Sequence, residues 1–274
     1  IQVDDKDTSL TFLPFAHILG RVEHFGHTYT GFTMGYAENI DRIRANLLEV
    51  KPTFMVAVPR IFEKIYNSMI SQAEASPVKK KIFYWALSLG KEVSKCRIEK
   101  RSPSLPVLLQ YQVAKKLVFD KLAERMGGRL RFAFSGGAPL SKDIAEFFHA
   151  ANLLIIEGYG LTETTAGIFA NSESDFKFGS VGKPIGDTQM KLAPDGEILV
   201  KGDKVTPGYY KNEQATKEVL VDGWFATGDI GEVDKNGFLT ITDRKKDLIK
   251  TAGGKYVAPQ KLENLLKLSK YVSN

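Results

Sequence analysis

Leu130-Arg131-Phe132-Ala133-Phe134-Ser135-Gly136-Gly137-Ala138-Pro139 and Leu153-Leu154-Ile155-Ile156-Glu157-Gly158-Tyr159-Gly160-Leu161-Thr162-Glu163-Thr164 are the two stretches on which the fold turns. Each is a short apolar run that stops at glycine. Such a run, bounded by turn signals, reads as a buried strand. Between them Ser141 stands where it would cap a helix over residues 142–150. Strand, glycine turn, helix and strand in that order predict an α/β layer with a mainly parallel sheet.

The pattern extends in both directions. Residues 10–20 read as an apolar strand running into a loop. Residues 37–49 have helical spacing, with Ile40, Ile43 and Leu47 on one face. Thr53-Phe54-Met55-Val56-Ala57-Val58 is a buried-strand run stopped by Pro59, and a helix follows from about Ile61 to Ala73. Residues 77–127 are mostly helical and rich in lysine and arginine, with Lys79, Lys80, Lys81, Lys91, Lys95, Arg97, Lys100 and Arg101 among them. After Gly179 the texture changes to short alternating runs. Pro194-Asp195-Gly196 and Asp234-Lys235-Asn236-Gly237 each separate two such runs, which predicts hairpins and a small antiparallel β subdomain. A helical pattern resumes at Pro259.

The chain has 274 residues, 43% of them hydrophobic and 26% charged, which suits a globular protein and excludes wholesale disorder. The formal net charge of +6 fits anionic ligands such as nucleotides, or an acidic membrane surface, and does not argue for nucleic acid. Cys96 is the only cysteine, so no intrachain disulfide forms and a reducing, cytoplasmic setting is expected. No apolar run is long enough to span a bilayer. The chain opens on Ile1, which reads as a piece of a longer protein.

The G-x-x-x-x-G-K-[ST] and G-x-G-x-x-G signatures are both missing. His24 and His27 share a strand or loop and read as two solvated histidines in preference to a metal site. The two glycine turns sit at strand ends, where α/β sheets place ligands. Small side chains at Gly136, Gly137 and Ala138 let a flat ligand approach the backbone. In Gly158–Thr164, Tyr159 offers a ring, Thr162 a hydroxyl, and Glu163 a carboxylate suited to Mg²⁺. Either turn alone is equally well a plain tight turn.

Four motifs in sequence order change that balance. Ser135–Pro139, Gly158–Thr164, Gly223-Trp224-Phe225-Ala226-Thr227-Gly228-Asp229 and Asp243-Arg244-Lys245-Lys246-Asp247-Leu248-Ile249-Lys250 resemble the conserved motifs of the adenylate-forming superfamily. That superfamily includes acyl-CoA synthetases, luciferases and peptide-synthetase adenylation domains. The resemblance implies its large-domain fold over 1–178, with a helical insert at about 77–127. It implies an antiparallel, barrel-like β subdomain over 179–243, then a hinge and the start of a small C-terminal α+β domain over 244–274.

It also implies roles by position. Tyr159 with Gly136, Gly137 and Ala138 would line the adenine and acyl site, beside Glu157, Gly158 and Gly160. Thr162 would contact the AMP phosphate and Glu163 would hold Mg²⁺. Asp229 would accept from both ribose hydroxyls. Arg244 would contact ribose or phosphate, and Lys246 would be the pivot of the C-terminal domain. Leu13-Pro14-Phe15-Ala16-His17 and Val58-Pro59-Arg60-Ile61-Phe62 resemble the long-chain fatty-acyl-CoA synthetase branch, with His17 near the fatty-acid carboxylate. The substrates implied are ATP, a long-chain fatty acid and coenzyme A. The basic face of the insert is open to two readings, an anionic inner-membrane surface or plain solvation.

The resemblance further implies a phosphate-gripping loop before residue 1 and a catalytic lysine after Asn274, so the chain by itself is expected to show little ligase activity. Two rivals stand beside this reading. One is another acid–CoA ligase or adenylation domain. The other is a noncatalytic module that binds nucleotide or acyl groups.

Overall fold

The computed structural model describes residues 2–247, together with 249, 250, 256, 257, 259 and 266. The chain packs as two compact units, Ile1–Ile156 and Glu157–Asn274.

In the first unit, strands β1 (Thr8–Thr11), β2 (Thr33–Tyr36), β3 (Phe54–Ala57) and β4 (Phe132–Ser135) lie in the order β2-β1-β3-β4, all parallel. Their connections carry helices α1 (Ile18–Thr30), α2 (Ile43–Val50), α3 (Pro59–Glu74), α4 (Pro77–Ile98), α5 (Leu105–Ala114) and α6 (Asp120–Arg125), with α7 (Lys142–Ala150) after β4. A π-helical turn, Lys115–Phe119, joins α5 to α6. All four residues of β3 are buried, because a parallel sheet is covered on both faces. Phe32, Phe54, Val56, Phe132 and Ile156 form one core cluster, in which the Phe54 and Phe132 rings stack at 5.8 Å. Phe62 of α3 meets Phe148 of α7 edge-on at 5.7 Å, which fixes those helices to each other. Pro59 opens α3 at a position where its missing N–H is no loss. Among the described residues no helix is long and apolar enough to cross a membrane.

Several local expectations are corrected. Residues 18–30 form a helix, where a loop was expected up to residue 20 and a strand or loop at His24 and His27. The reason is its buried face, which consists of Gly20 and Glu23 and carries no apolar stripe. Glu23 accepts hydrogen bonds from the hydroxyls of Ser9 and Thr11 on β1, so a carboxylate docks this helix. His24 and His27 lie on α1. They are half-buried and packed against Phe15 and Phe32 at 5.3 and 5.4 Å, so the solvated reading fails. Ile40 is 64% exposed, because a 3₁₀ turn (Ile40–Arg42) precedes α2 and takes it off the buried face. Ser141 occupies the N-cap of α7 but makes no side-chain capping bond.

Strand β5 (Leu154–Leu161) begins in the first unit and runs through Gly158-Tyr159-Gly160. That stretch is therefore strand, and the expected loop shrinks to the 3₁₀ turn Thr162–Thr164. In the second unit β5 pairs antiparallel with β6 (Ala166–Ala170), and β6 with β7 (Lys183–Pro184). Gly160 is dictated by that pairing, since a Cβ there would fall 1.7 Å from the Ala166 carbonyl oxygen.

The hairpins expected from the turn signals are present. β8 (Gln189–Leu192) pairs with β9 (Glu197–Lys201), and β11 (Trp224–Val233) with β12 (Leu239–Arg244). β11 also pairs with β9 and with β10 (Leu220–Val221), all antiparallel. A short helix, α8 (Glu213–Val219), precedes β10. It is capped by the Asn212 side chain and has no fully buried residue, with Val219 packed partly buried against the core, which is why no periodicity announced it. Ile249–Lys250 and Tyr256–Val257 form a separate two-stranded ladder. The core of this unit is Tyr159, Ile168, Phe169, Ile198, Val200, Phe225 and Leu239.

Candidate functional site

The centre of the second unit's polar chemistry is Asp229. On β11, Phe225 and Ala226 pair with Val200 and Leu199 of β9, and pairing resumes only at Ile230 with Glu197. Thr227, Gly228 and Asp229 make up this bulge, a device that re-aims side chains beside sites. Gly228 takes φ +72°, a left-handed conformation that favours glycine. Thr227 Oγ donates to the Ile198 carbonyl at 2.8 Å and accepts the Asp229 N–H at 3.1 Å, which fixes the turn.

Asp229 is 5% exposed. Tyr159 Oη donates to its Oδ2 at 2.7 Å, and Arg244 Nε lies 3.4 Å from its Oδ1. Arg244 reaches it because the two residues are register partners on β11 and β12. Burial raises the Asp229 carboxyl above the usual aspartate range, against the pull of Tyr159 and Arg244. Burial likewise pushes the Tyr159 hydroxyl well up, with the Asp229 charge adding to it. The Tyr159 ring belongs to the core and lies 6.1 Å from the Phe169 ring.

The turn after β5 is locked by Thr164. Its hydroxyl accepts the Leu161 N–H at 2.8 Å and donates to the Ala166 carbonyl at 3.0 Å. This leaves Thr162 exposed at the head of the turn. Glu163 Oε1 accepts a 2.9 Å bond from Tyr209 Oη, and its carbonyl accepts the Thr206 N–H at 2.7 Å. The Glu157 carbonyl receives the Asn171 N–H at 3.0 Å, and Gly158 stands opposite Ala170. Lys246 lies in the exposed 3₁₀ turn Lys245–Asp247.

His17, Gly136, Gly137 and Ala138 belong to the first unit. His17 is the N-cap of α1, and its ring accepts the Leu19 N–H at 3.3 Å. Gly136 and Gly137 follow β4, whose last residue, Ser135, carries a buried hydroxyl with no partner. An orphaned polar atom at the mouth of a glycine turn is where a ligand group would be satisfied.

Sequence reasoning gave no role to Tyr209, Thr227, Glu197 or Lys245. Glu197 Oε1 accepts the Gly228 N–H at 3.0 Å, and Lys245 Nζ contacts Glu197 Oε2 at 2.7 Å. Thr227 and Lys245 stand inside quoted motifs, Gly223–Asp229 and Asp243–Lys250. The others carry no local signal, because their partners are far along the chain.

The donor set fits an adenosine nucleotide. Asp229 is acceptor-only with lone pairs left beyond Tyr159, which suits a vicinal diol. Half-exposed Arg244 beside it suits an anionic phosphate. Among the described residues no three His, Cys, Asp or Glu side chains converge on a metal position.

The fold is that of the adenylate-forming superfamily. The chain belongs to the family described as "AMP-binding enzyme", whose model matches residues 1–210. It is 44% identical to long-chain-fatty-acid–CoA ligase FadD15 of Mycobacterium bovis, over 96% of this chain and 44% of that protein. It is 37% identical to long chain acyl-CoA synthetase 1 of Arabidopsis thaliana, over 96% and 42%. Its fold is similar to o-succinylbenzoate CoA synthetase of Bacillus subtilis, solved with its acyl-adenylate intermediate. That match has TM-score 0.67 at 24% identity and covers 96% of this chain and 46% of that one. The chain thus spans less than half the length of the curated relatives it matches.

Proposed function

We propose that the protein containing this chain is an ATP-dependent, AMP-forming long-chain fatty-acid–CoA ligase. The observation that carries the proposal is the Tyr159–Asp229–Arg244 constellation, a buried acceptor with a cation beside it. The names of the relatives support a long-chain acid as the substrate.

In the first half-reaction a fatty-acid carboxylate oxygen attacks the α-phosphorus of ATP. The bond to the pyrophosphate oxygen breaks, leaving acyl-AMP and pyrophosphate. In the second, the coenzyme A thiol loses its proton and attacks the acyl carbon, and AMP departs with the electron pair. Asp229 would hold the ribose. Arg244 and Thr162 would contact ribose or phosphate. Gly136, Gly137, Ala138, Glu157, Gly158, Tyr159 and Gly160 would line the nucleotide and acyl surfaces, and His17 would face the fatty-acid carboxylate. Mg²⁺ held through Glu163 would supply charge neutralisation at the crowded phosphate, where electrostatic stabilisation matters more than a base. Lys246 would be the pivot of the C-terminal domain. The same proposal keeps the boundaries at residues 178 and 243.

We place the protein in the cytoplasm, with peripheral contact to the inner membrane face. What supports the contact is an exposed stripe on α5, with Leu105 74%, Leu109 69% and Val113 52% accessible, near Lys100, Arg101 and Lys116. Sedimentation with anionic vesicles tests it. Leu105→Asp with Leu109→Asp is expected to release the protein, and unchanged binding would rule the stripe out.

The enzymatic test uses the whole protein and measures pyrophosphate release across a panel of acids. Dependence on ATP and palmitate, with little response to amino or aromatic acids, is the expected outcome. A preference for amino or aromatic acids would move the reading to another branch of the family. No release with any acid would favour a noncatalytic binding module.

A further inference from the structure

Glu197 lies outside every motif quoted above, and Lys245 stands in the last of them with no role of its own, yet the two close a ring around the Asp229 turn. Glu197 is 8% exposed. One of its oxygens accepts the Gly228 N–H at 3.0 Å, and the other meets Lys245 Nζ at 2.7 Å. The same Lys245 ammonium reaches Asp195 Oδ2 at 2.7 Å, and Asp195 Oδ1 accepts the Glu197 N–H at 3.2 Å. The turn before β9, the bulge in β11 and the end of β12 are thereby joined through one buried carboxylate.

We propose that Glu197 and Lys245 are a positioning pair that orients the Asp229 carboxylate for the ribose and couples it to the hinge residue next to Lys245. The inference rests on the reading of Asp229 as the ribose-binding group. Asp229 pairs with Arg244 on β12, but Thr227, Gly228 and Asp229 lack β9 partners, so on that side no backbone ladder holds the turn and side chains must. The bonds that do are the Thr227 hydroxyl to the Asp229 N–H and Glu197 to the Gly228 N–H. A buried carboxylate with one backbone donor needs a cation to keep its charge in place, and Lys245 supplies it. Lys245 sits between Arg244, which pairs with Asp229, and Lys246. Displacing the hinge turn would pull on Glu197 and, through Gly228, on Asp229. The burden of the interaction falls on Glu197, whose side chain is 11% exposed, because the Lys245–Asp195 arm is about half exposed on both sides and is screened by solvent.

The test measures AMP affinity by calorimetry, and kcat and KM for ATP in pyrophosphate release, on the whole protein. Glu197→Gln keeps an acceptor for Gly228 and removes the charge that Lys245 needs. Lys245→Met keeps the stem and removes the ammonium. Each is expected to weaken AMP binding about tenfold, the usual size of an effect from supporting residues, and to raise KM for ATP more than it lowers kcat. The double variant is expected to be no worse than the weaker single, because the two act as one unit. A merely structural pair would lower the melting temperature and leave affinity unchanged below it. Affinities within about twofold of wild type in both variants, or additive losses in the double, overturn the proposal. Asp229→Ala is the control. If it binds AMP as wild type does, the ribose reading itself fails, and that outcome is distinct from a failure of the pair.

Discussion

Tyr159 Oη donates a 2.7 Å hydrogen bond to Asp229 Oδ2 across 70 residues of chain. The bond joins a strand aromatic to a bulge carboxylate and ties together two motifs that lie far apart in sequence. It also settles what each group has left to offer. The tyrosine hydroxyl is spent on the aspartate, and the aspartate keeps acceptor capacity for a diol. A glycine-flanked tyrosine and a turn aspartate each admit a plain reading, but their bond is difficult to explain as two unrelated turns.

Asp229→Asn is expected to separate stability from binding. Burial holds this carboxyl above its ordinary value of 3.8, against the pull of Tyr159 and Arg244. A carboxyl raised in the folded state favours folding fully below its unfolded value, and that contribution is lost as pH rises through the folded value. At neutral pH the ionised group therefore opposes folding. The asparagine variant is expected to melt at or above the wild-type temperature near neutrality, and the gap is expected to close towards the acid side. AMP affinity is expected to fall ~10²-fold, since an acceptor-only group becomes half donor. Calorimetry across pH checks both, and a lower melting temperature at neutral pH would contradict the account.

Tyr159→Phe keeps the ring contact with Phe169 and removes only the hydroxyl. Asp229 then loses a buried donor, and hydrogen bonds to charged groups are worth ~1.5–3 kcal/mol. Urea denaturation is expected to show a loss in that range. AMP binding should weaken less than in Asp229→Asn, because the ribose acceptor is still present. A variant as stable as wild type would mean that the hydroxyl is solvated instead.

Glu23→Ala is expected to cost ~2–4 kcal/mol, because two hydroxyls on β1, Ser9 and Thr11, lose their common acceptor in a buried site. Glu23→Gln should cost less and change the pH dependence. Burial raises the Glu23 carboxyl above 4.5, against the two hydroxyl bonds. Its contribution to stability is thus full below 4.5 and declines as pH rises through the folded value. Guanidinium midpoints at several pH values for wild type and Glu23→Gln check the sign.

The parallel sheet and the hairpins were legible because their signals are local. Phe54-Met55-Val56-Ala57 is one unbroken apolar run, and Pro194-Asp195-Gly196 marks a turn within three residues. Helix α1 was not legible, because the contact that docks it is Glu23 on two hydroxyls and no leucine stripe exists for periodicity to find. Gly158-Tyr159-Gly160 looked like a turn, but Gly160 is there so that β6 can pass against it. Within the site, Asp229 and Arg244 stood out through motif spacing. The Glu197–Lys245 contact did not, since it spans 48 residues and the motif that holds Lys245 says nothing of its partner.

His149 gives the last prediction, because it titrates in the opposite sense to Glu23. Its Nδ1 lies 2.6 Å from Ser94 Oγ in a buried site. Burial, with Arg97 nearby, lowers its pKa from 6.5 to about 4. A group depressed in the folded state contributes stability above its unfolded value, and that contribution is lost as pH falls through the folded one. The window is therefore pH 6.5 down to about 4, and the full effect is ~3 kcal/mol. Glu23, whose carboxyl is raised by burial, recovers stability as it is protonated on acidification. Urea midpoints measured between neutral and acid pH should then move apart in the variants. His149→Gln is expected to flatten the acid loss, since it removes the group that must charge. Glu23→Gln is expected to steepen it, since it removes the group that compensates. Parallel curves for the two variants would show that neither side chain governs acid stability.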